Sequence, residues 1–126
     1  MPIKVVDASA LGALAFGEPE AEIVAETLEY STLAAPSLLW FEMASICRKK
    51  IASHPEIRQQ LIAAFARARI LPIQITVVDH EEIVLLAEKT GLTTYDATYL
   101  WVSAVLHGEL ITLDKQLKKA AAGLGF

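Results

Sequence analysis

The sequence predicts an α/β fold, three layers deep (α/β/α), around a parallel sheet of four to five strands. Two observations carry this. Short apolar runs of strand length alternate with amphipathic segments of helix length along the whole chain, the order that parallel strands with helical crossovers require. Gly17, Pro36, Pro55, Gly91, Gly108 and Gly123 punctuate those segments. The 126 residues suit one domain, residues 1–126, long enough to bury a core.

Ile3 to Val6 is an apolar run with one Lys and reads as a buried strand ending at Asp7. Ala8 to Phe16 is a short helix closed by Gly17. Glu18 to Tyr30 carries Ile23, Val24 and Leu28 at helical spacing between acids, an amphipathic helix. Leu33 to Ala35 is a short strand stopped by Pro36. Ser37 is positioned to cap a long helix to about Ala52. Ser53-His54-Pro55 breaks it, and another helix runs to about Ala68 with Pro55 in its first turn. Ile73 to Val78 alternates and is β-branched, the clearest strand. Asp79 and Glu82 have capping-box spacing at the head of a helix that ends at Gly91. Thr93 or Thr94 opens the next helix, to about His107. Leu110 to Leu113 is the fourth strand, and Asp114 opens a last helix rich in Lys and Ala. A fifth strand would be expected after Gly125, where the sequence ends at Phe126.

Apolar residues make up 54% of the chain. That is above the globular average and predicts some apolar surface buried against a partner or a second copy. No apolar run approaches the roughly 18 residues of a membrane span, and the N-terminus lacks the layout of a signal peptide. With the single cysteine, Cys47, no internal disulfide forms, which fits a cytoplasmic protein. The net charge of −4 counts mildly against a nucleic-acid partner, less so if the acids gather around bound cations.

Four acids stand out by position. Asp7 ends the first strand and Asp114 follows the fourth. Ligands of open parallel sheets collect beyond the carboxyl ends of strands, where strand order reverses. Glu42 is the only charge between Ala34 and Cys47, and Asp96 the only one between Lys89 and His107. Each also has a local reading: Asp7 and Asp114 as N-caps, Asp96 as half of a capping box with Thr93, Glu42 as a solvated helix residue. Capping does not explain Glu42, whose neighbours Trp40, Phe41, Met43 and Ala44 leave little polar surface. A charge in that setting needs a partner or a metal.

Four ordered segments carry a family resemblance: Val5-Val6-Asp7-Ala8-Ser9-Ala10, Pro36-Ser37-Leu38-Leu39-Trp40-Phe41-Glu42, Thr94-Tyr95-Asp96-Ala97-Thr98-Tyr99 and Leu110-Ile111-Thr112-Leu113-Asp114. Their order and spacing resemble the PIN-domain ribonucleases, in particular the VapC-type toxins of toxin–antitoxin pairs, over nearly the whole chain. The resemblance implies a PIN-like sheet in the order 3-2-1-4-5. It implies that Asp7, Glu42, Asp96 and Asp114 are catalytic and hold Mg²⁺ or Mn²⁺, with Ser9 and Thr112 positioning the acids or the ligand. It also implies an RNA substrate, a cognate antitoxin that covers the acidic site, and a homodimer. One departure is Gln116, where some relatives carry a further acid.

A hard divalent ion would relieve the repulsion among four carboxylates. It would support hydrolysis of an RNA phosphodiester by in-line attack of water. Arg48, Lys49, Lys50, Lys115, Lys118 and Lys119 are candidate phosphate contacts or ordinary solvated helix residues. Lys115, adjacent to Asp114, is the strongest of them. The three histidines lie scattered at helix ends without metal-ligand spacing. Tyr95 and Tyr99, four apart, are expected to pack together. Trp40 and Phe41 read either as core or as the lining of a groove for an antitoxin or a second copy.

Two other functions suit the same pattern. One is a phosphoacceptor signalling domain, with Asp7 binding metal and Asp79 taking the phosphoryl group. Against it, the first strand ends in one acid and no proline follows Lys115. The other is a PIN fold that binds without catalysis.

Overall fold

In the computed structural model, which describes residues 1–126, four strands form one parallel sheet in the order β3-β2-β1-β4. They are β1 (Ile3–Val6), β2 (Thr32–Ala35), β3 (Ile73–Ile75) and β4 (Glu109–Ile111). Seven α-helices flank them: α1 (Ala8–Ala15), α2 (Ala21–Leu28), α3 (Leu38–Ser53), α4 (Arg58–Arg69), α5 (His80–Thr90), α6 (Thr94–Leu106) and α7 (Lys115–Gly123). Contacts group α1 with α2, α3 and α4, and α6 with α5 and α7. This is the expected α/β/α architecture, with four strands and no fifth; β4 is an edge.

The core lies where the two central strands meet these helices. Val5 and Val6 of β1 are fully buried, as are Leu11 of α1, Leu39 and Met43 of α3 and Leu100 of α6. In α3, Leu39, Met43 and Cys47 are buried at four-residue steps, the period of a helix face. Cys47 is the small buried residue expected, its thiol near the Leu61 carbonyl.

Several boundaries differ from the sequence reading, each for a local reason. β3 stops at Ile75, short of Val78, because its partner β2 ends at Ala35. Pro36 brings no N–H and turns the chain toward α3; Thr76 makes the last bond, to the Ala35 carbonyl. α2 starts at Ala21 rather than Glu18, after left-handed Gly17 and Pro19. Ser37 does not cap α3: it is already helical, with no side-chain cap bond. A 3-10 turn, Pro55–Ile57, precedes α4. Asp79 caps α5 through the Glu82 N–H, but the Glu82 carboxylate accepts from Trp101 Nε1 at 2.8 Å, so α5 is tied to α6.

The α6–β4 turn bears on the site. His107, not Gly108, takes the left-handed conformation that ends α6. Gly108 is needed for closeness: a Cβ there would sit 3.1 Å from the Ile3 carbonyl oxygen and 3.0 Å from its side chain. The turn thus presses on the start of β1, and β4 pairs beside it through Lys4↔Glu109, Val5↔Leu110 and Val6↔Ile111. The chain steps outward from β1 to β2 to β3, then returns to β1's other side. The carboxyl ends of β1 and β4 therefore border the crevice where strand order reverses.

Candidate active site

Asp7 is the first residue past β1, and its N–H reaches the Ile111 carbonyl at 3.2 Å, continuing the β1–β4 ladder. Its carboxylate is buried and held from three sides. Oδ1 accepts from the Ala10 N–H at 3.0 Å, as an N-cap does, and from Ser9 Oγ at 2.7 Å. Oδ2 accepts from Thr112 Oγ1 at 2.5 Å, across 105 positions of sequence. Thr112 Oγ1 also accepts from the Asp114 N–H at 3.0 Å, and Ser9 Oγ accepts from the Leu113 N–H at 2.9 Å. Two hydroxyls thus bind the end of β1 to the turn that delivers Asp114. That turn, Thr112–Asp114, lies beyond β4, which ends at Ile111 rather than Leu113. Asp114 caps α7, its Oδ1 accepting from the Leu117 N–H at 2.8 Å.

Glu42 lies on the flank of α3, one position before the buried stripe. Its Oε1 accepts from the Tyr99 hydroxyl at 2.5 Å. Asp96 is in the first turn of α6, where Thr93 Oγ1 accepts its N–H at 3.1 Å. The local readings therefore hold for Asp7, Asp114 and the Thr93–Asp96 pair, and they coexist with a shared location. All four acids line one cavity of about 300 Å³ together with Ala8, Ser9, Ser45, Ile46, Lys49 and Tyr99.

A carboxylate offers about four lone-pair positions. Asp7 Oδ1 uses both of its own on Ser9 and Ala10, leaving Oδ2 one position beside the Thr112 bond. Asp114 keeps Oδ2, and Glu42 keeps Oε2. As the side chains stand, no three acids are drawn tight enough to grip one ion. Like charges facing one another splay apart when nothing neutralises them. The donor set, hard carboxylate oxygens with no thiolate or imidazole among them, suits Mg²⁺ or Mn²⁺.

The electrostatics agree with mutual proximity. Burial pushes the Asp7 carboxyl up; hydrogen bonds from Thr112, Ser9 and Ala10 oppose this, and the Asp114 charge adds to it. Burial also raises Glu42, against the Tyr99 bond and with the charges of Asp7 and Asp96. Asp96 is raised by burial first, then by Asp114 and Asp7. Burial and the Glu42 carboxylate push the Tyr99 hydroxyl far above the ordinary phenol range, so it remains a donor. No salt bridge compensates any of the four acids; the two ion pairs present are Lys50–Glu18 and His54–Glu56.

A family model for the PIN domain matches residues 4–123. This chain belongs to the PIN-domain family. PIN domains are generally nucleases and generally use divalent metals. The crystal structure of PAE2754 from Pyrobaculum aerophilum is similar to this PIN domain with a TM-score of 0.78 at 23% identity, covering 94% of this chain and 84% of that one. At that identity the likeness speaks to the fold. No curated protein matches the chain.

Other expectations fare differently in this PIN domain. Tyr95 and Tyr99 do not pack together: Tyr95 is 62% exposed, whereas Tyr99 is buried with its hydroxyl on Glu42. Sequence reasoning missed that bond, whose partners lie 57 positions apart. Lys115 does not line the acidic cavity; Lys49 does. Asp79 lies apart from Asp7, beyond the edge strand β3, in a separate shallow depression with His80 and Trp101. That separation removes the phosphoacceptor reading. Trp40 is half-buried against Phe65 and Arg69. Phe41 is 74% exposed and, with Val84 and Tyr95, borders an apolar groove of about 400 Å³. No helix is long and apolar enough to cross a membrane.

The raised carboxyls have a consequence for stability. The folded protein binds protons more tightly than the unfolded chain at these sites. Stability is therefore fully present below the ordinary carboxyl range and falls as pH rises through the raised values. In chelator, Asp96→Asn is expected to raise the melting temperature at pH 7 by up to about 3 °C, a gap that closes below about pH 4. Calorimetry across that range checks it; a variant that melts lower at pH 7 contradicts it.

Proposed function

We propose that residues 1–126 act as one PIN domain that is a divalent-metal-dependent endoribonuclease, the toxin of a type II toxin–antitoxin module in the cytoplasm. The observation that carries this reading is the meeting of Asp7, Glu42, Asp96 and Asp114, from four separate segments, in one cavity, with none of the four in a salt bridge. These residues are the proposed ligands of Mg²⁺ or Mn²⁺. Such an ion polarises a scissile phosphate and lowers the pKa of an attacking water.

The chain's own groups divide the remaining work. Ser9 and Thr112 spend their hydrogen bonds on Asp7 and on the turn before Asp114, so they position acids rather than contact the ion. Lys49 follows Glu42 by seven residues, two turns along the same face of α3, and lines the cavity. It is the proposed contact to an RNA phosphate, in place of Lys115. The apolar groove beside Phe41 and Tyr95, together with Val77 at 90% exposure, supports a protein partner. In this reading that partner is a cognate antitoxin or a second copy in a homodimer.

Cleavage of single-stranded RNA by the purified protein tests the reading. Asp7→Asn is expected to lower the rate at least about 100-fold, the scale of losing metal-assisted charge stabilisation. Chelator is expected to abolish cleavage, and Mn²⁺ to restore it. Cleavage at the wild-type rate in Asp7→Asn, or cleavage that survives chelator, overturns the mechanism. Metal binding without cleavage of any RNA supports the alternative of a PIN fold that only binds.

Lys49→Ala is expected to weaken RNA binding about three- to tenfold, uniformly across sequences, and to reduce the salt dependence by about one counterion. Binding measured on the Asp7→Asn background, where RNA stays intact, checks this. An unchanged salt slope would assign Lys49 to solvent.

A further inference from the structure

We infer that Tyr99 is the positioning residue for Glu42, its hydroxyl holding one carboxylate oxygen so that the other is presented to the ion. The inference rests on the reading of the four acids as cation ligands and adds a residue that reading does not contain.

Three observations carry it. First, the Tyr99 ring is 1% exposed in the core cluster, so its hydroxyl is placed with the precision of core packing. Second, that hydroxyl lies 2.5 Å from Glu42 Oε1, the one hydrogen bond the Glu42 carboxylate makes, and both residues line the acidic cavity. Third, Glu42 lacks the helix N-terminal position that the other three acids share. Asp7 and Asp114 sit at helix N-termini, where the Ala10 and Leu117 N–H groups hold them, and Asp96 sits beside Thr93 at the head of α6. Glu42 is a full turn inside α3, where backbone N–H groups are spent on the helix, and it has one more rotatable bond than an aspartate. A donor from another element has to fix it. Tyr99 supplies that donor from α6, three residues and about one turn after Asp96. One side chain thereby sets the spacing between the ligand on α3 and the ligand on α6.

Removing the hydroxyl leaves the ring packing intact and frees Glu42 to turn, so its ordering falls to ion binding. Mn²⁺ affinity, measured by titration calorimetry on the whole chain, is expected to drop about tenfold in Tyr99→Phe, the scale of a lost hydrogen bond to a charged group. Far-UV circular dichroism in chelator, which reports the backbone and not the deleted tyrosine chromophore, is expected to match the wild type. In a double-mutant cycle, adding Tyr99→Phe to Glu42→Gln is expected to cost little more, because the residue through which Tyr99 acts has already changed.

Equal Mn²⁺ affinity in Tyr99→Phe and a wild type that binds the ion overturns the positioning role and leaves the metal site standing. Full additivity in the double variant also overturns it. A wild type that binds no Mn²⁺ overturns the metal reading and the inference with it. If Tyr99→Phe does not fold, crystals of the wild-type chain soaked in Mn²⁺ decide: Glu42 with Oε1 still on the Tyr99 hydroxyl and Oε2 on the ion supports the inference, and Glu42 leaving the hydroxyl when the ion binds overturns it.

Discussion

The whole site depends on how Asp7 is held. Its carboxylate is buried at the end of the central strand, where a lone charge is costly, and three donors make the position tolerable: the Ala10 N–H, Ser9 and Thr112. Two of these donors also grip the turn after β4. The interactions that stabilise one acid therefore set the place of another, Asp114, on a segment far along the chain. Parallel pairing of β1 with β4 brings the two strand ends together. The Ser9–Thr112 bridge converts that neighbourhood into a defined geometry.

The remaining acids extend this core outward. Glu42 and Asp96 come from helices grouped on different sides of the sheet, and the Tyr99 hydroxyl ties α6 to α3 above the strand ends. Burial and mutual charge raise the carboxyl groups, so the folded chain carries strain that a cation would relieve. Concentrated like charge is a common feature of functional sites, where local cost is offset by stability elsewhere. Here the offset lies in the core, where Val5, Val6, Leu39, Met43 and Leu100 are fully buried.

Much of this was legible in the residues themselves. Asp7 and Asp114 stand out because strand ends are where sheet-top sites form. Glu42 stands out because no capping role accounts for a charge amid apolar neighbours. The sheet order required the family resemblance, since alternation of strands and helices does not specify which strands adjoin. What stayed hidden depends on distance in space. Tyr99 looked like a packing partner for Tyr95 because spacing within one helix is visible and a bond to another helix is not. Lys115 looked nearest the site because it follows Asp114. Adjacent helical residues point about 100° apart, whereas Lys49, two turns from Glu42, shares its direction. β3 read long because alternation in one strand says nothing about where its partner ends, and Pro36 ends it early.

The most direct measurement is anomalous diffraction from crystals of the wild-type chain soaked in Mn²⁺. The account predicts a peak inside the cavity bounded by Asp7, Glu42, Asp96 and Asp114, with their unbonded oxygens turned onto it. Well-diffracting crystals without such a peak, or with Mn²⁺ bound only at other surface carboxylates, would contradict it.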